Sequence, residues 1–200
     1  MSTALHTAQA SLFDTADLLP PGLSFMPDFI SRDEEAALLG LVQALPVQQA
    51  RYHQYTARRR VYTYGARDES RQYTVDRARP LSLPPPMQAL RQQLAAWVGI
   101  APAAFTHVMV CEYQPGTPLG WHRDAPHYEL IAGVSLGSAA RLRFRPWPAE
   151  APHKDDIIGL DLAPRSAYVM RGVARWGWQH SVPPVPALRY SVTMRTPRQP

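Results

Sequence analysis

Between residues 31 and 45 the chain reads SRDEEAALLGLVQAL. Leu38, Leu41, Val42 and Leu45 recur at the three- and four-residue spacing that lines one face of a helix. Ser31, followed three residues later by Glu34, carries the capping-box signature of a helix start. PPMQALRQQLAAWVG (85–99) repeats the pattern with Met87, Leu90, Leu94, Trp97 and Val98, and Gly99 suits a left-handed C-cap. After residue 105 the period changes. THVMVCEY, LIAGVSL, ARLRFR, DIIGLDL, SAYVMRG and RYSVTMR are short strand-like runs, separated by PGTPLG, RPWPAEAP and VPPVPA. Many short strands at this spacing predict a sandwich, barrel or jelly roll. The expected class is mainly β with flanking N-terminal helices (α+β).

Two hundred residues suit one domain, 1–200, with a real core. A composition of 46% hydrophobic and 18% charged residues is that of a globular chain, and 21 prolines argue against a helix bundle. No apolar run approaches the roughly 20 residues of a membrane span, so no membrane partner is expected. The first 22 residues lack a basic start and carry Asp14 and Asp17, which makes them a poor signal peptide and a flexible leader. Cys111 is the only cysteine, so no internal disulfide can form, which suits a reducing cytosol. A cytoplasmic monomer is expected.

The location of the charge adds more than its total of +5. Residues 51–80 hold eight arginines against Asp68, Glu69 and Asp76, which is the whole net charge, together with five of the nine tyrosines. Arginine pairs phosphate through two parallel hydrogen bonds, and tyrosine offers a face on which a base stacks. A solvated basic loop is the plainer alternative. DNA or RNA is the expected partner, with a protein or small molecule as the other substrate class.

GWHRDAPHY (120–128) raises the question of chemistry. In a strand, His122 and Asp124 would point the same way. RWGWQHSVPP supplies His180 as a third ligand. Two histidines and a carboxylate leave three positions open on a non-haem Fe(II), with zinc as the rival metal. The HRD of protein kinases is excluded, because no Asn follows at the required offset and neither DFG nor a glycine-rich loop is present. In RYSVTMR (189–195), Arg189, Ser191, Thr193 and Arg195 alternate with Tyr190, Val192 and Met194. Two arginines on one buried face are costly unless an anion meets them, and a small dicarboxylate would.

HRD, His180, RYSVTMR, SLG (135–137) and ARWGWQHS together resemble the AlkB-type Fe(II)/2-oxoglutarate dioxygenases. The likeness runs from about residue 106 to 196 and more loosely through 51–65. It implies a double-stranded β-helix, or jelly roll, with its core at 106–196 and a substrate-recognition lid at 51–80. It implies Fe(II) on His122, Asp124 and His180, with 2-oxoglutarate and O2 as cosubstrates. Arg189 matches the arginine that pairs the distal carboxylate of 2-oxoglutarate, Arg195 the one near the keto-acid end, and Tyr113 a cosubstrate-contacting tyrosine. Cys111 departs from the family's Asn at a neighbouring contact. In the lid, Tyr55 falls near a base-stacking aromatic, and Arg59 and Tyr62 near backbone-contacting positions. The implied activity is oxidative demethylation of N-alkylated bases in nucleic acid, for repair or modification, releasing succinate, CO2 and formaldehyde.

Overall fold

The computed structural model describes residues 19–52, 55–64, 81–148 and 156–198. Among these, eleven strands form two antiparallel sheets. The large sheet runs β1 (Leu23–Met26), β9 (Ala167–Met170), β6 (Tyr128–Leu136), β11 (Arg189–Pro197), β4 (His107–Tyr113), β3 (Tyr55–Tyr64), β2 (Gln48–Tyr52). The small sheet runs β5 (Leu119–His122), β10 (Trp178–Val182), β7 (Ala140–Pro146), β8 (Ile158–Leu162). The jelly roll that the family resemblance implied, one of the three β architectures the strand spacing left open, is the observed fold.

Period-2 alternation builds two cores on the faces of the large sheet. Val108, Val110, Val134, Val192 and Met194 pack against Leu38 and Val42 of α1 (Arg32–Gln43) and Met87, Leu90 and Leu94 of α2 (Pro85–Val98). Met109, Cys111, Tyr113, Ile131 and Met170 face the small sheet and meet Leu142, Phe144, Leu162 and Val182. Both helices end as their sequences predict. Ser31 Oγ accepts from the Glu34 amide at 3.2 Å and Glu34 accepts from the Ser31 amide at 2.7 Å. Gly99 closes α2 at φ 74°, a left-handed conformation open to glycine at little cost. Gly133 on β6 leaves room for the Tyr168 ring, which a β-carbon there would strike.

Three features were not read from the sequence. Leu23–Met26 pairs with β9 as an edge strand, and the carbonyls of Pro21 and Gly22 accept from Ala174 and Arg171, so this end of the 1–22 segment is tied down. The basic, tyrosine-rich segment enters the large sheet as the β2–β3 hairpin, with Arg60 opposite Glu112 and Val61 opposite Cys111. A short helix, α3 (Gly172–Trp176), interrupts the chain just before β10. Residues 1–18 and 65–80, the latter half of the expected lid, lie outside the described residues.

Candidate active site

β5 and β10 pair with His122 directly opposite His180, so the two rings share a face with their centroids 4.2 Å apart. Asp124 Oδ1 lies 3.5 Å from the Nε2 of each histidine. The three donor atoms fall within 4.8 Å of one another. One sequence expectation is corrected here. Asp124 is not on a strand beside His122, because β5 ends at His122 and Asp124 sits in the loop that follows. The carboxylate converges through that loop instead. Arg175, on α3 and buried, donates from one terminal nitrogen to the carbonyls of Asp124 (3.1 Å), Ala125 (2.7 Å) and Tyr128 (3.0 Å). The last turn of α3 thus clamps both ends of the loop that carries Asp124.

The donor set suits a divalent iron. His122 Nδ1 lies 2.9 Å from the Gly120 carbonyl, so Nδ1 carries the proton and Nε2 keeps its lone pair toward the cluster. Burial, with His122 alongside, depresses His180 to about 3 and keeps its imidazole neutral. Burial alone would raise the pKa of Asp124. The Arg195 charge and contacts from both histidines overcome it and hold the carboxyl well below the usual range. Arg195 Nε donates to Asp124 Oδ2 at 2.7 Å, which leaves Oδ1 facing the imidazoles. Arg195 also donates to Thr193 Oγ1 at 2.9 Å and lies 3.3 Å from His107 Nδ1. Burial and the Arg195 charge lower His107 to about 3.

The cluster opens into a cavity of about 440 Å³ whose walls include His122, Asp124, His180, Tyr113, Arg189 and Arg195. All four alternating polar residues of β11 face it, and Tyr190, Val192 and Met194 enter the helix-side core. β11 is a central strand between β6 and β4, so its arginines are not solvated edge residues. Arg189 is 2% exposed. Its Nε donates to Ser135 Oγ at 3.2 Å and its guanidinium carbon lies 5.0 Å from the Tyr113 ring centroid. Among the described residues no carboxylate lies within ion-pair distance of it. A buried guanidinium without a counter-charge calls for an anion from the cavity.

The remaining expected residues, and other polar and aromatic residues around the site, divide. Tyr113 and Cys111 line the cavity from β4, and both are buried. Arg59 and Arg58 line it from β3. Tyr62 does not: it points to the helix side of the sheet and meets Tyr64 edge-on at 5.0 Å. Arg60 also turns to that side and pairs with Glu112 at 2.5 Å. The side chain of Tyr55 lies outside the described residues. His107 belongs to the cavity wall, and His127 is exposed against Tyr128. Trp121 lies under Arg143 and Arg145, Trp176 lies between Arg175 and Arg198, and Trp178 packs into the inter-sheet core. Asp161 pairs with Arg141 on the surface, well exposed. Arg175 was not among the expected site residues, and its only signal in the sequence is a position five residues before His180.

A jelly roll with this His–Asp–His cluster, able to hold a metal, and a buried arginine facing the same cavity fits a 2-oxoglutarate-dependent non-haem iron dioxygenase. Residues 22–197 match the family model of the 2OG-Fe(II) oxygenase superfamily, and the chain belongs to that superfamily as an AlkB-type member, using Fe(II), 2-oxoglutarate and O2. It is 28% identical over 176 residues to the mouse (Mus musculus) tRNA (carboxymethyluridine(34)-5-O)-methyltransferase ALKBH8, covering 84% of this chain and 25% of the relative. It is 30% identical over 192 residues to the Arabidopsis thaliana "alkylated DNA repair protein ALKBH8 homolog", covering 86% of this chain and 54% of the relative. The chain therefore spans between a quarter and about half the length of these relatives. The solved structure of OsALKBH1 superposes with a TM-score of 0.66 at 16% identity, over 89% of this chain and 99% of that one, a likeness of fold. No helix among the described residues is long and apolar enough to cross a membrane.

Proposed function

We propose that the chain is an oxidative demethylase of N-alkylated bases in DNA or RNA. In this reading His122, Asp124 and His180 hold Fe(II), Arg189 pairs the distal carboxylate of 2-oxoglutarate, and Tyr113 and Arg195 flank its keto-acid end. The chain works as one domain, a cytoplasmic monomer, with residues 51–80 as its lid. The observation that carries the choice of substrate is the cavity wall itself. Arg58, exposed, and Arg59, largely buried, come from β3 onto the wall shared with the ligand cluster. Cations at that position suit a phosphate backbone whose base enters the cavity. The relatives support the same class, since one is named for a transfer RNA and the other for repair of alkylated DNA.

Each residue then has a task. Arg195 keeps Asp124 ionised and aimed. Arg175 fixes the loop. Met109, Ile131, Leu142, Leu162 and Val182 form an apolar wall that limits water. The loaded iron supplies hydroxylation of a substrate C–H bond at the expense of 2-oxoglutarate and O2, and a methyl hydroxylated on nitrogen falls away as formaldehyde. A base within a duplex has to be flipped out to reach this depth.

The test is a turnover panel of methylated DNA, RNA and transfer RNA oligomers with Fe(II) and 2-oxoglutarate, read by mass spectrometry. A demethylase removes 14 mass units (one CH2) from an oligomer, with matching succinate and formaldehyde. A gain of 16 units (one oxygen) with the methyl retained would make the enzyme a hydroxylase. Succinate formed with every oligomer unchanged would move the substrate to protein or small molecules.

A further inference from the structure

The outer face of the small sheet carries a second set of cations that extends from the mouth of the catalytic cavity. On β7, Leu142 and Phe144 point into the inter-sheet core, so Arg141, Arg143 and Arg145 alternate outward. Arg141 is neutralised by Asp161, to which it donates at 3.0 and 3.1 Å. Arg143 and Arg145 have no such partner among the described residues. Each is held the same way, through Nε, by a neutral acceptor on β10: Arg143 by Ser181 Oγ at 3.1 Å and Arg145 by Gln179 Oε1 at 2.8 Å. Anchoring through Nε leaves both terminal nitrogens of each guanidinium as an open fork, the geometry that receives a phosphate. Trp121 of β5 fixes the pair further, with its ring centroid 5.1 Å from the Arg143 guanidinium carbon and 4.6 Å from that of Arg145. Next to them, Arg123 donates to the Trp176 carbonyl at 3.1 Å and lies 5.1 Å from the exposed Trp147 ring. Among the described residues no carboxylate is within ion-pair distance of Arg123, Arg143 or Arg145.

Outward sheet faces ordinarily mix charges of both signs, so three guanidinium groups without a counter-charge among the described residues, ordered by neutral side chains, a carbonyl and indole rings, are an unusual surface. Residues two apart on a strand stand about 7 Å apart, close to the step between neighbouring phosphates of an extended strand. Trp121 and Arg123 also belong to the wall of the catalytic cavity, so the row begins at its mouth.

We propose that Arg123, Arg143 and Arg145 form a phosphodiester track. It grips the single strand flanking the reacting nucleotide on the side of the cavity opposite the β2–β3 hairpin. The track rests on the nucleic-acid reading of the active site and extends it to the strand beyond.

The experiment measures binding of single-stranded oligomers, one short and one long, by fluorescence anisotropy across a salt series. The wild-type protein is compared with Arg143→Gln/Arg145→Gln and Arg143→Lys/Arg145→Lys. Loss of two phosphate contacts flattens the log–log salt slope by about 1.4, at roughly 0.7 per contact on a single strand. The track requires that flattening on the long oligomer only. It also requires the lysine pair, which keeps the charge without the fork, to retain most of the slope. An unaltered slope for the glutamine pair on the long oligomer would overturn the track while leaving the active-site reading intact. Equal flattening on both lengths would also overturn it, as would polyglutamate displacing the oligomer at equal charge. If the wild-type protein binds neither oligomer, the nucleic-acid reading falls together with the track.

Discussion

Arg189→Met isolates the logic of the proposed cosubstrate site, because its two effects should have opposite signs. Without a ligand, Arg189 is a buried cation with a serine hydroxyl at 3.2 Å and an aromatic ring at 5.0 Å. Replacing buried charges by apolar residues of similar volume is often neutral or stabilising, by roughly 1–4 kcal/mol. The unliganded variant should therefore melt at or above the wild-type temperature. With 2-oxoglutarate the order reverses. A charge-assisted bidentate contact contributes about 1.5–3 kcal/mol, or roughly ten- to more than a hundredfold in affinity. At a concentration of about 100 Kd, 2-oxoglutarate stabilises the wild-type protein by ~2.7 kcal/mol, and a hundredfold weaker site gives only ~0.4 kcal/mol. At roughly 2–4 °C per kcal/mol for a chain of this size, the ligand-induced shift should shrink from ~5–11 °C to ~1–2 °C. Differential scanning fluorimetry with Mn(II), which keeps the site loaded and unreactive, reads both effects in one plate. A variant that melts well below wild type without ligand yet keeps the full 2-oxoglutarate shift would refute the reasoning, since Arg189 would then be structural.

Three further outcomes follow from the same geometry. Arg175→Met removes a nitrogen that serves three carbonyls; Fe(II) affinity should fall by about 10–100-fold, as for other groups that hold a ligand in place, and anaerobic Fe(II) titration tests this. Burial works to raise the Glu112 pKa, but bonds from Gln114, Arg60 and Tyr190 outweigh it and hold it below 4.5, so the stability it adds is present above that pH and lost as pH falls below it. Glu112→Gln should accordingly cost about 1–3 kcal/mol near neutrality and less in acid, by urea unfolding at several pH values. Gly133→Ala pushes a methyl into the Tyr168 ring and should disturb the cavity wall, so 2-oxoglutarate binding should weaken together with thermal stability.

Much of this architecture was legible in the chain because period and polarity agreed. The capping box and apolar stripe announced α1, and the alternation in RYSVTMR announced a strand with a polar cavity face. His122, Asp124 and His180 were legible as a spaced set, although the strand geometry offered for Asp124 was not what brings it in. What escaped is long-range. Arg175 and Asp124 are 51 residues apart, and nothing local says that a five-residue helix will hold a loop elsewhere. The orientation of the hairpin turned on one residue of register, since a slip of one moves every side chain to the other face. Pairing of Val61 with Cys111 sends Arg59 to the cavity and Tyr62 to the helices. Glu112 required a partner across β3 that only that register reveals, and so Arg60 reads as a surface cation until the sheet is assembled.

The central claim is that His122, Asp124 and His180 hold one iron on which 2-oxoglutarate can bind. Anaerobic addition of Fe(II) and 2-oxoglutarate, followed by visible absorption, tests it most directly, because an iron-bound 2-keto acid has a charge-transfer band that neither component shows alone. The account predicts such a band at one equivalent of Fe(II), lost in Asp124→Ala. Absence of the band in the wild-type protein, or its survival at full intensity in Asp124→Ala, would contradict it.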